Sequence, residues 1–162
     1  MSERRLIVPV SPELMPAASR TVERALAGTR YLAAALDVLR SAITSPSADA
    51  RALASTLGAH LEGVIVFGFF GGASGAGRLQ LVAVESNARR AGVGLALVRE
   101  ALAALRADGA RFVLAELPDD APTLPGAREF LESFGFRQES RVDDFYREGL
   151  ALSFMRLELG RT

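Results

Sequence analysis

A short run of arginines and glycines, Arg89-Arg90-Ala91-Gly92-Val93-Gly94, is the segment of this sequence best suited to bind a phosphate. It comes directly after an apolar stretch with strand character and opens a stretch with helical spacing. The start of a helix presents backbone N–H groups without partners and the positive end of the helix dipole. Gly92 and Gly94 allow close approach to the backbone, and Arg89 or Arg90 adds a charge-assisted donor. The run therefore predicts a pyrophosphate site, with the contacting arginine left open.

Missing residue types exclude several classes of enzyme. The chain has no cysteine, which excludes a thiol nucleophile, a zinc–thiolate cluster and a disulfide framework. It also has no lysine, so neither a Walker-type phosphate site nor a Schiff base can form. His60 is the single histidine, and we expect it to be structural or solvent-facing; no metal site is expected. Residues 92–97 lack the third glycine of a dinucleotide-binding fingerprint.

Size and composition predict one domain, residues 1–162. The chain is 49% hydrophobic, which is enough for a packed core at this length. Its 19 basic and 19 acidic side chains balance, so no overall positive field favours nucleic acid. The first residues lack the apolar segment of a signal peptide, and no apolar run approaches the roughly 20 residues needed to cross a bilayer. We expect a cytoplasmic protein that binds neither nucleic acid nor membrane.

Hydrophobic spacing around the phosphate-binding run predicts a mixed order of strands and helices, and hence an α/β fold. The predicted strands cover residues 6–10, 50–59, 64–70, 78–84, 112–117, 136–142 and 150–159. The predicted helices are one that opens at Ser11-Pro12-Glu13, one over 29–43, one from the glycine turn to Asp108 and one over 127–134. A glycine-rich hairpin, 71–77, joins the third and fourth strands. The third strand is apolar throughout, which is typical of a strand buried on both faces.

These elements and two motifs resemble the GNAT superfamily of acetyltransferases. Leu81-Val82-Ala83-Val84 followed by the arginine–glycine run resembles the family's [Gln/Arg]-x-x-Gly-x-[Gly/Ala] acetyl-CoA motif. Residues 127–136 resemble its second signature, a short helix that ends in a Gly-Phe pair. The resemblance covers residues 60–159 well. It reaches residues 1–59 only through element order, where these enzymes build a variable acceptor pocket.

The resemblance implies a GNAT-like, mostly antiparallel sheet of six to seven strands, flanked by about four helices and splayed between strands 4 and 5. Pantetheine lies in that gap in the family and pairs with the fourth strand. A bulge there leaves backbone N–H groups unpaired, and an N–H near Val82 to Val84 is the candidate that polarises the thioester carbonyl. The residues expected to contact acetyl-CoA are Val82, Ala83, Val84, Arg89, Arg90, Ala91, Gly92, Val93 and Gly94.

The implied reaction is direct attack of an amine on the thioester through a tetrahedral intermediate, which needs a base and an acid. Tyr146 is the candidate acid, in a loop between the last two strands that resembles the Tyr-x-x-Gly run of some relatives. Glu85 follows the fourth strand and Glu116 closes the fifth, so both are expected near the gap. Either carboxylate can serve as the base through a water if burial raises its pKa. The residues alone favour neither glutamate.

Two departures from the family pattern keep a second function open. Leu131 stands where many relatives carry a tyrosine that protonates the thiolate. The asparagine that often follows the fifth strand is absent, and residues 117–122 occupy that region. The alternative is a CoA-binding sensor or interaction module without turnover, because a fold does not by itself define a function. A purely structural domain that binds no cofactor is the weakest interpretation.

The acceptor predicted for an active enzyme is a primary amine of a small molecule or a peptide. Arg78 stands where some histone-acetylating relatives carry a glutamate base, so that substrate class loses support. The paired acids Asp119-Asp120 and Asp143-Asp144 are able to attract a cationic acceptor. GNAT relatives often pair through helices or exchanged terminal strands, which makes a homodimer an option.

Overall fold

The computed structural model describes residues 2–72 and 75–160, and its strands form one seven-stranded sheet. The strands are β1 (Arg5–Pro9), β2 (Arg51–Leu57), β3 (His60–Phe69), β4 (Ala76–Val84), β5 (Phe112–Pro118), β6 (Arg137–Arg147) and β7 (Leu150–Glu158). Their order across the sheet is β1-β2-β3-β4-β5-β7-β6. Neighbouring strands are antiparallel except β4 and β5, which run parallel. The predicted mixed, mostly antiparallel sheet is confirmed.

Helices pack on both faces of this sheet. The α-helices of the described residues are α1 (Met15–Ala25), α2 (Leu32–Thr44), α3 (Val93–Ala107) and α4 (Ala127–Ser133). Short 3-10 helices, Pro12–Leu14 and Ser86–Ala91, precede α1 and α3. The helix predicted over 29–43 begins at Leu32, because Thr29 belongs to a turn in which its N–H donates to the Leu26 carbonyl at 3.0 Å. In the described part of the chain, no helix is long and apolar enough to span a membrane.

Strand β3 lies at the centre of two apolar clusters. Its side chains alternate between the two faces of the sheet. Val64 and Val66 belong to the cluster formed with α1 and α2, whereas Ile65 and Phe67 belong to the cluster that includes α3. All four are at most 1% exposed. The continuous apolar run was therefore a correct indication of a strand buried on both faces.

The sheet splays between β4 and β5. Pairing is limited to Ala76–Leu79 of β4 and Phe112–Ala115 of β5, although β4 continues to Val84 and β5 to Pro118. Beyond that point β4 stays paired with β3, and β5 stays paired with β7. We call the resulting gap, bounded by residues 80–84 and 116–118, the β4–β5 opening. It is the splay that the resemblance implied.

A β-bulge lies at the start of this opening. Val66 of β3 pairs with Leu81 and Phe67 pairs with Leu79, so Gln80 is an extra residue in β4. Its side-chain amide donates to the Asp49 carbonyl at 2.9 Å. A bulge bends its strand and increases the local twist. We infer that it turns the second half of β4 away from β5.

Candidate active site

The backbone of β4 faces the opening at alternate residues. The Glu85 N–H donates to the Glu62 carbonyl of the β3 side at 2.9 Å. Because backbone groups alternate in direction along an antiparallel strand, Ala83 also faces β3, whereas Val82 and Val84 face the opening. The Val84 carbonyl accepts a bond from Arg89 Nε at 3.3 Å. The Val82 and Val84 N–H groups are thus the ones placed to bond a molecule in the opening.

The connection between β4 and α3 contains a helical turn that was not predicted. The expectation that the strand runs directly into a glycine turn is corrected, because the 3-10 helix Ser86–Ala91 lies between them. That helix is held by the Ala88 N–H, which donates to the Glu85 carbonyl at 2.9 Å, and by the buried Ala88 side chain. Gly92 follows with φ 76° and is the N-cap residue of α3. The predicted arrangement of glycine turn and helix start is otherwise present.

The two glycines of the run have different surroundings. Gly92 has the left-handed conformation that favours glycine, and a Cβ at this position would meet no described atom within 4 Å. A ligand therefore has room to approach its backbone. A Cβ on Gly94 would lie 3.3 Å from Phe130 Cζ of α4 and 3.5 Å from Val84 Cγ2. Gly94 therefore allows close packing of α3 against α4 and β4.

The remaining residues of the run divide into exposed and buried positions. Arg89, Arg90 and Ala91 are exposed, and Val93 is buried at 1% exposure. Arg89 already donates to the Val84 carbonyl. Within residues 2–72 and 75–160, no hydrogen bond or ion pair holds the Arg90 side chain. Of the two arginines left open by the sequence, Arg90 is the freer one to contact a phosphate.

Tyr146 lies in strand β6 and not in a loop as predicted. Pairing of β6 with β7 jumps from Val142–Leu152 to Arg147–Leu150, so the segment between them bulges out of the sheet. Asp144 has φ 53°, and its carboxylate Oδ1 accepts the Gly149 N–H at 2.7 Å. A residue of the edge strand can thus reach over the sheet instead of continuing its plane.

An aromatic cluster surrounds Tyr146. Its ring stands edge-on to Tyr31, with 5.6 Å between centroids, and to Phe145, with 4.9 Å. Tyr31 precedes α2, and its hydroxyl donates to Asp120 Oδ2 at 2.8 Å. Tyr31 was not predicted as a site residue. The only signal in the sequence is an aromatic side chain in the turn between two helices of the variable part.

Both phenols of the cluster hold their protons more tightly than usual. Burial raises the pKa of Tyr146, and the negative charge of Glu116 raises it further. Burial also raises the pKa of Tyr31, as does its hydrogen bond to Asp120. The bond from Tyr31 in turn lowers the pKa of Asp120. At neutral pH the cluster therefore contains two protonated phenols beside an ionised Asp120.

The two candidate bases lie in different environments. Glu116 is an exposed residue of β5 beside the opening, and its charge acts on Tyr146. Glu85 has only 8% of its side chain exposed. One of its oxygens accepts Arg24 Nη1 at 2.8 Å and the other contacts His60 Nε2 at 2.8 Å. His60 is 53% exposed and serves as a structural partner of Glu85, in line with the prediction for this histidine.

A polar network lies at the end of β5, in the region where the resemblance implied an asparagine that this sequence lacks. Asp119 bonds to Arg128 of α4, accepts Arg141 Nη1 at 3.0 Å and accepts the Ser153 hydroxyl at 2.9 Å. Burial opposes its ionisation, but these bonds and the two arginine charges outweigh burial, so the pKa of Asp119 lies below its usual value. The network connects the end of β5 to α4, β6 and β7.

The contacts of the paired aspartates narrow the prediction that these acids attract a cationic acceptor, because most of them already have partners within the protein. Asp119 is neutralised by two arginines, Asp143 accepts Arg141 Nε at 2.9 Å, and Asp144 holds the Gly149 N–H. Of the four aspartates, Asp120 is the one still able to attract a cation, although its carboxylate also accepts the Tyr31 hydroxyl. The two members of each pair therefore have different partners and do not act as paired charges.

A cavity of about 190 Å³ lies between the end of β5 and α4. Its lining residues are Leu117, Pro118, Asp119, Asp120, Ala121, Leu124, Gly126, Ala127, Arg128 and Glu129. Leu131 does not line it, because this side chain is 8% exposed and belongs to the apolar cluster of α3. Leucine therefore fills core space at the position where the resemblance implied a tyrosine.

Comparisons with known proteins agree with this architecture. A model of the acetyltransferase (GNAT) domain matches residues 52–138, more than half of the chain. A GNAT-family structure from Desulfovibrio desulfuricans is similar at 24% identity and a TM-score of 0.85, covering 97% of this chain and 100% of that one. A GNAT acetyltransferase from Brucella melitensis in complex with acetyl-CoA is similar at 22% identity and a TM-score of 0.70, covering 98% and 90%.

A third similar structure is an aminoglycoside 6'-N-acetyltransferase complexed with coenzyme A. It has 15% identity and a TM-score of 0.77, and the match covers 97% of this chain and 98% of that one. No curated protein sequence matches this chain. At these identities the likeness to solved structures concerns the fold.

Proposed function

This chain belongs to the GNAT family of acetyltransferases, and we propose that it moves an acetyl group from acetyl-CoA to a primary amine of a small molecule or a peptide. The observation that carries the proposal is the β4–β5 opening. One of its edges has backbone groups of β4 without a partner strand, and Glu116 lies on the other edge. The negative charge of Glu116 acts on Tyr146 of β6. A thioester bound along β4 would therefore lie near a proton acceptor, Glu116, and a proton donor, Tyr146.

The residues present fit acetyl-CoA. Among the described residues, no side chain caps the N-terminus of α3, and Gly92 leaves open space beside it. The N–H groups that start this helix would hold the pyrophosphate, and Arg90 would add charge. The Val82 and Val84 backbone would pair with the pantetheine arm. Acetyl-CoA, when bound, supplies an acyl group activated as a thioester.

Three groups of the chain would carry the proton transfers and charge stabilisation. Glu116 would accept a proton from the attacking amine through a water, because it is exposed and forms no ion pair among the described residues. Tyr146 keeps its proton at neutral pH and would give it to the departing sulfur. An N–H of Val82 or Val84 would polarise the carbonyl of the acyl group. Glu85 stays the second candidate base.

We further propose that residues 1–162 act as one domain. Tyr31 comes from the part before residue 60, and it contacts Tyr146 from the second-last strand. The variable part and the core would thus form one acceptor site. The option of a homodimer comes from the family resemblance, a cytoplasmic location is part of the proposal, and the acceptor is either a small amine or a peptide.

The proposal is tested by measuring thiol release from acetyl-CoA with a panel of amines, amino acids and peptides. Tyr146→Phe should lower kcat by roughly 10² or more, because a placed general acid contributes about that factor. Its affinity for CoA should stay within about twofold. If no acceptor exceeds background hydrolysis while CoA binds, the non-catalytic sensor suggested by Leu131 is the better description.

The phosphate site is tested by placing a carboxylate in it. Ala91→Glu adds a negative charge at an exposed residue next to Gly92, and we expect CoA affinity to fall at least about tenfold through repulsion. Ala103→Glu is the matched control, since it adds the same charge at an exposed residue about three turns farther along α3. Isothermal titration calorimetry measures both. Equal affinities would place the phosphates elsewhere.

A further inference from the structure

The hydrogen bond between Tyr31 and Asp120 joins two connections that border the same opening. Tyr31 lies between α1 and α2, and these helices contact β3 and β4. Asp120 lies just after β5, on the other side of the β4–β5 opening. The two residues are 89 positions apart in the chain. Their bond thus crosses from the β4 half of the sheet to the β5 half.

The ring of Tyr146 packs against two other aromatic rings. In the described part of the chain its hydroxyl makes no hydrogen bond. Its ring contacts Tyr31 and Phe145, and Phe145 is 54% exposed. An edge-on aromatic contact has a preferred geometry and contributes about 0.5–1.5 kcal/mol beyond its buried area. Of the two rings, Tyr31 is the one whose own position is set by a hydrogen bond.

Asp120 is well suited to hold Tyr31. Its backbone carbonyl accepts the Thr123 and Leu124 N–H groups at 3.0 and 2.7 Å, and its own N–H donates to Pro118 at 2.8 Å. These bonds fix the turn that follows β5. A carboxylate that accepts a phenol hydrogen forms a charge-assisted bond, which is shorter and stronger than a neutral one. The turn after β5 therefore sets the position of a ring that contacts Tyr146.

We propose that Asp120 and Tyr31 are positioning residues that hold the Tyr146 phenol over the β4–β5 opening. The inference rests on the proposed role of Tyr146 as proton donor to the leaving sulfur. Tyr31 acts through its ring, and Asp120 acts through Tyr31. A displacement of about 1 Å at a reacting group can cost up to about 10²-fold in rate. Their effect should therefore be on kcat and not on acetyl-CoA binding.

A double-mutant cycle tests the proposal through activity. Tyr31→Ala should lower kcat about tenfold or more, with the KM for acetyl-CoA unchanged within about twofold. In a Tyr146→Phe background, Tyr31→Ala should cause little further loss, because the proton donor is already absent. Equal losses in both backgrounds would show that Tyr31 acts independently of Tyr146, which overturns the inference.

Asp120 is tested by two substitutions that differ in one property. Asp120→Ala removes the acceptor of the Tyr31 hydroxyl, and it should lower kcat, as Tyr31→Ala does. Asp120→Asn keeps a side-chain oxygen that can accept that hydroxyl, so most of the activity should return. Equal activity of the two variants would contradict the role given to the bond. Circular dichroism melts identify any variant that fails to fold.

The chain offers a readout that needs no substrate. It has two tyrosines and no tryptophan, so Tyr31→Phe leaves Tyr146 as the only phenol in the ultraviolet titration. Because the introduced phenyl ring can still pack on it, Tyr146 in that variant should ionise above the ordinary value of about 10. In Tyr31→Ala its titration should move down toward that value, because the buried contact is lost. Identical titrations would overturn the inference.

The failures can be told apart. Absence of transfer by the wild-type protein would reject the proposed function. Unchanged activity of Tyr146→Phe would reject its role as acid, and the positioning inference with it. Transfer that depends on Tyr146 but shows no coupling to Tyr31 would reject only the positioning inference.

Discussion

At the scale of single residues, Glu85 and Glu116 show how contacts separate two side chains of the same type. They lie on opposite sides of the β4–β5 opening. Both oxygens of Glu85 are engaged by Arg24 and His60, whereas Glu116 is exposed and acts on Tyr146 through its charge. A base must be free to receive a proton, so the geometry favours Glu116. Glu85 holds the end of the sheet to α1.

The two glutamates should therefore respond differently to loss of charge. We expect Glu116→Gln to lower kcat/KM by about 10² while the free energy of unfolding changes by less than about 0.5 kcal/mol. Glu85→Gln should instead cost about 1.5–3 kcal/mol of stability, because it replaces the carboxylate that pairs with the charge of Arg24 and contacts His60. Steady-state kinetics and urea unfolding measure the two effects. The reverse pattern would make Glu85 the base.

Both glutamates could be identified from the sequence, but which of them is the base could not. The partners of Glu85 lie 61 and 25 positions away in the chain, so only the folded sheet brings them together. The same holds for Tyr31, which reaches Asp120 across 89 positions. Residue types and local spacing identify the phosphate run, since all its parts are contiguous. A contact between distant segments leaves no such local pattern.

At the scale of elements, the strands and helices were predictable and their irregularities were not. Hydrophobic periodicity located β3 and α3 because it reports which face of an element is buried. The bulges at Gln80 and before Arg147 depend on how a strand aligns with its neighbour. Register is a property of a pair, so the sequence of one strand does not reveal it. The position of Tyr146 follows from such a bulge.

Gly94 gives a prediction about the packing of elements. Gly94→Leu should destabilise the protein by about 1–3 kcal/mol, because the added side chain overlaps Phe130 of α4. Adding Phe130→Ala frees space next to it, so the double variant should be more stable than the sum of the single effects predicts. Thermal or urea unfolding of the four proteins measures this coupling. Strict additivity would mean that Gly94 and Phe130 do not limit one another.

At the scale of the whole molecule, the two raised phenol pKa values link stability to alkaline pH. In the unfolded chain both tyrosines ionise near pH 10, whereas in the folded protein they keep their protons to higher pH. The stabilisation is thus complete below about pH 10. It is lost as the pH rises further, because the unfolded state then binds fewer protons than the folded state.

The corresponding experiment follows the free energy of unfolding from pH 8 to about pH 11.5. We expect a decline above about pH 10 in the wild-type protein. Tyr31→Phe should show a shallower decline, since one of the two raised phenols is removed. A slope that is equal in both proteins would place the pH dependence in other groups.

The overall architecture was the most predictable level. The order of elements, the mixed sheet and the splay followed from periodicity together with the family resemblance, and the strand pairing confirms them. The 3-10 helix before Gly92 was not predicted, because its six residues are too few to show a periodic pattern. Long-range order was thus easier to infer than the short connections that position the site.

The sheet opening has a consequence for how the two halves of the molecule hold together. Among the described residues, only four residue pairs of β4 and β5 connect strands β1–β4 to strands β5–β7 within the sheet. Helix α3 packs on one face of this connection. A thioester arm bonded along β4 would add contacts next to these four pairs. Saturation at about 100 times Kd would add roughly 2.7 kcal/mol to stability. In each catalytic cycle the free energy of unfolding would then fall when CoA leaves and rise when the next acetyl-CoA binds.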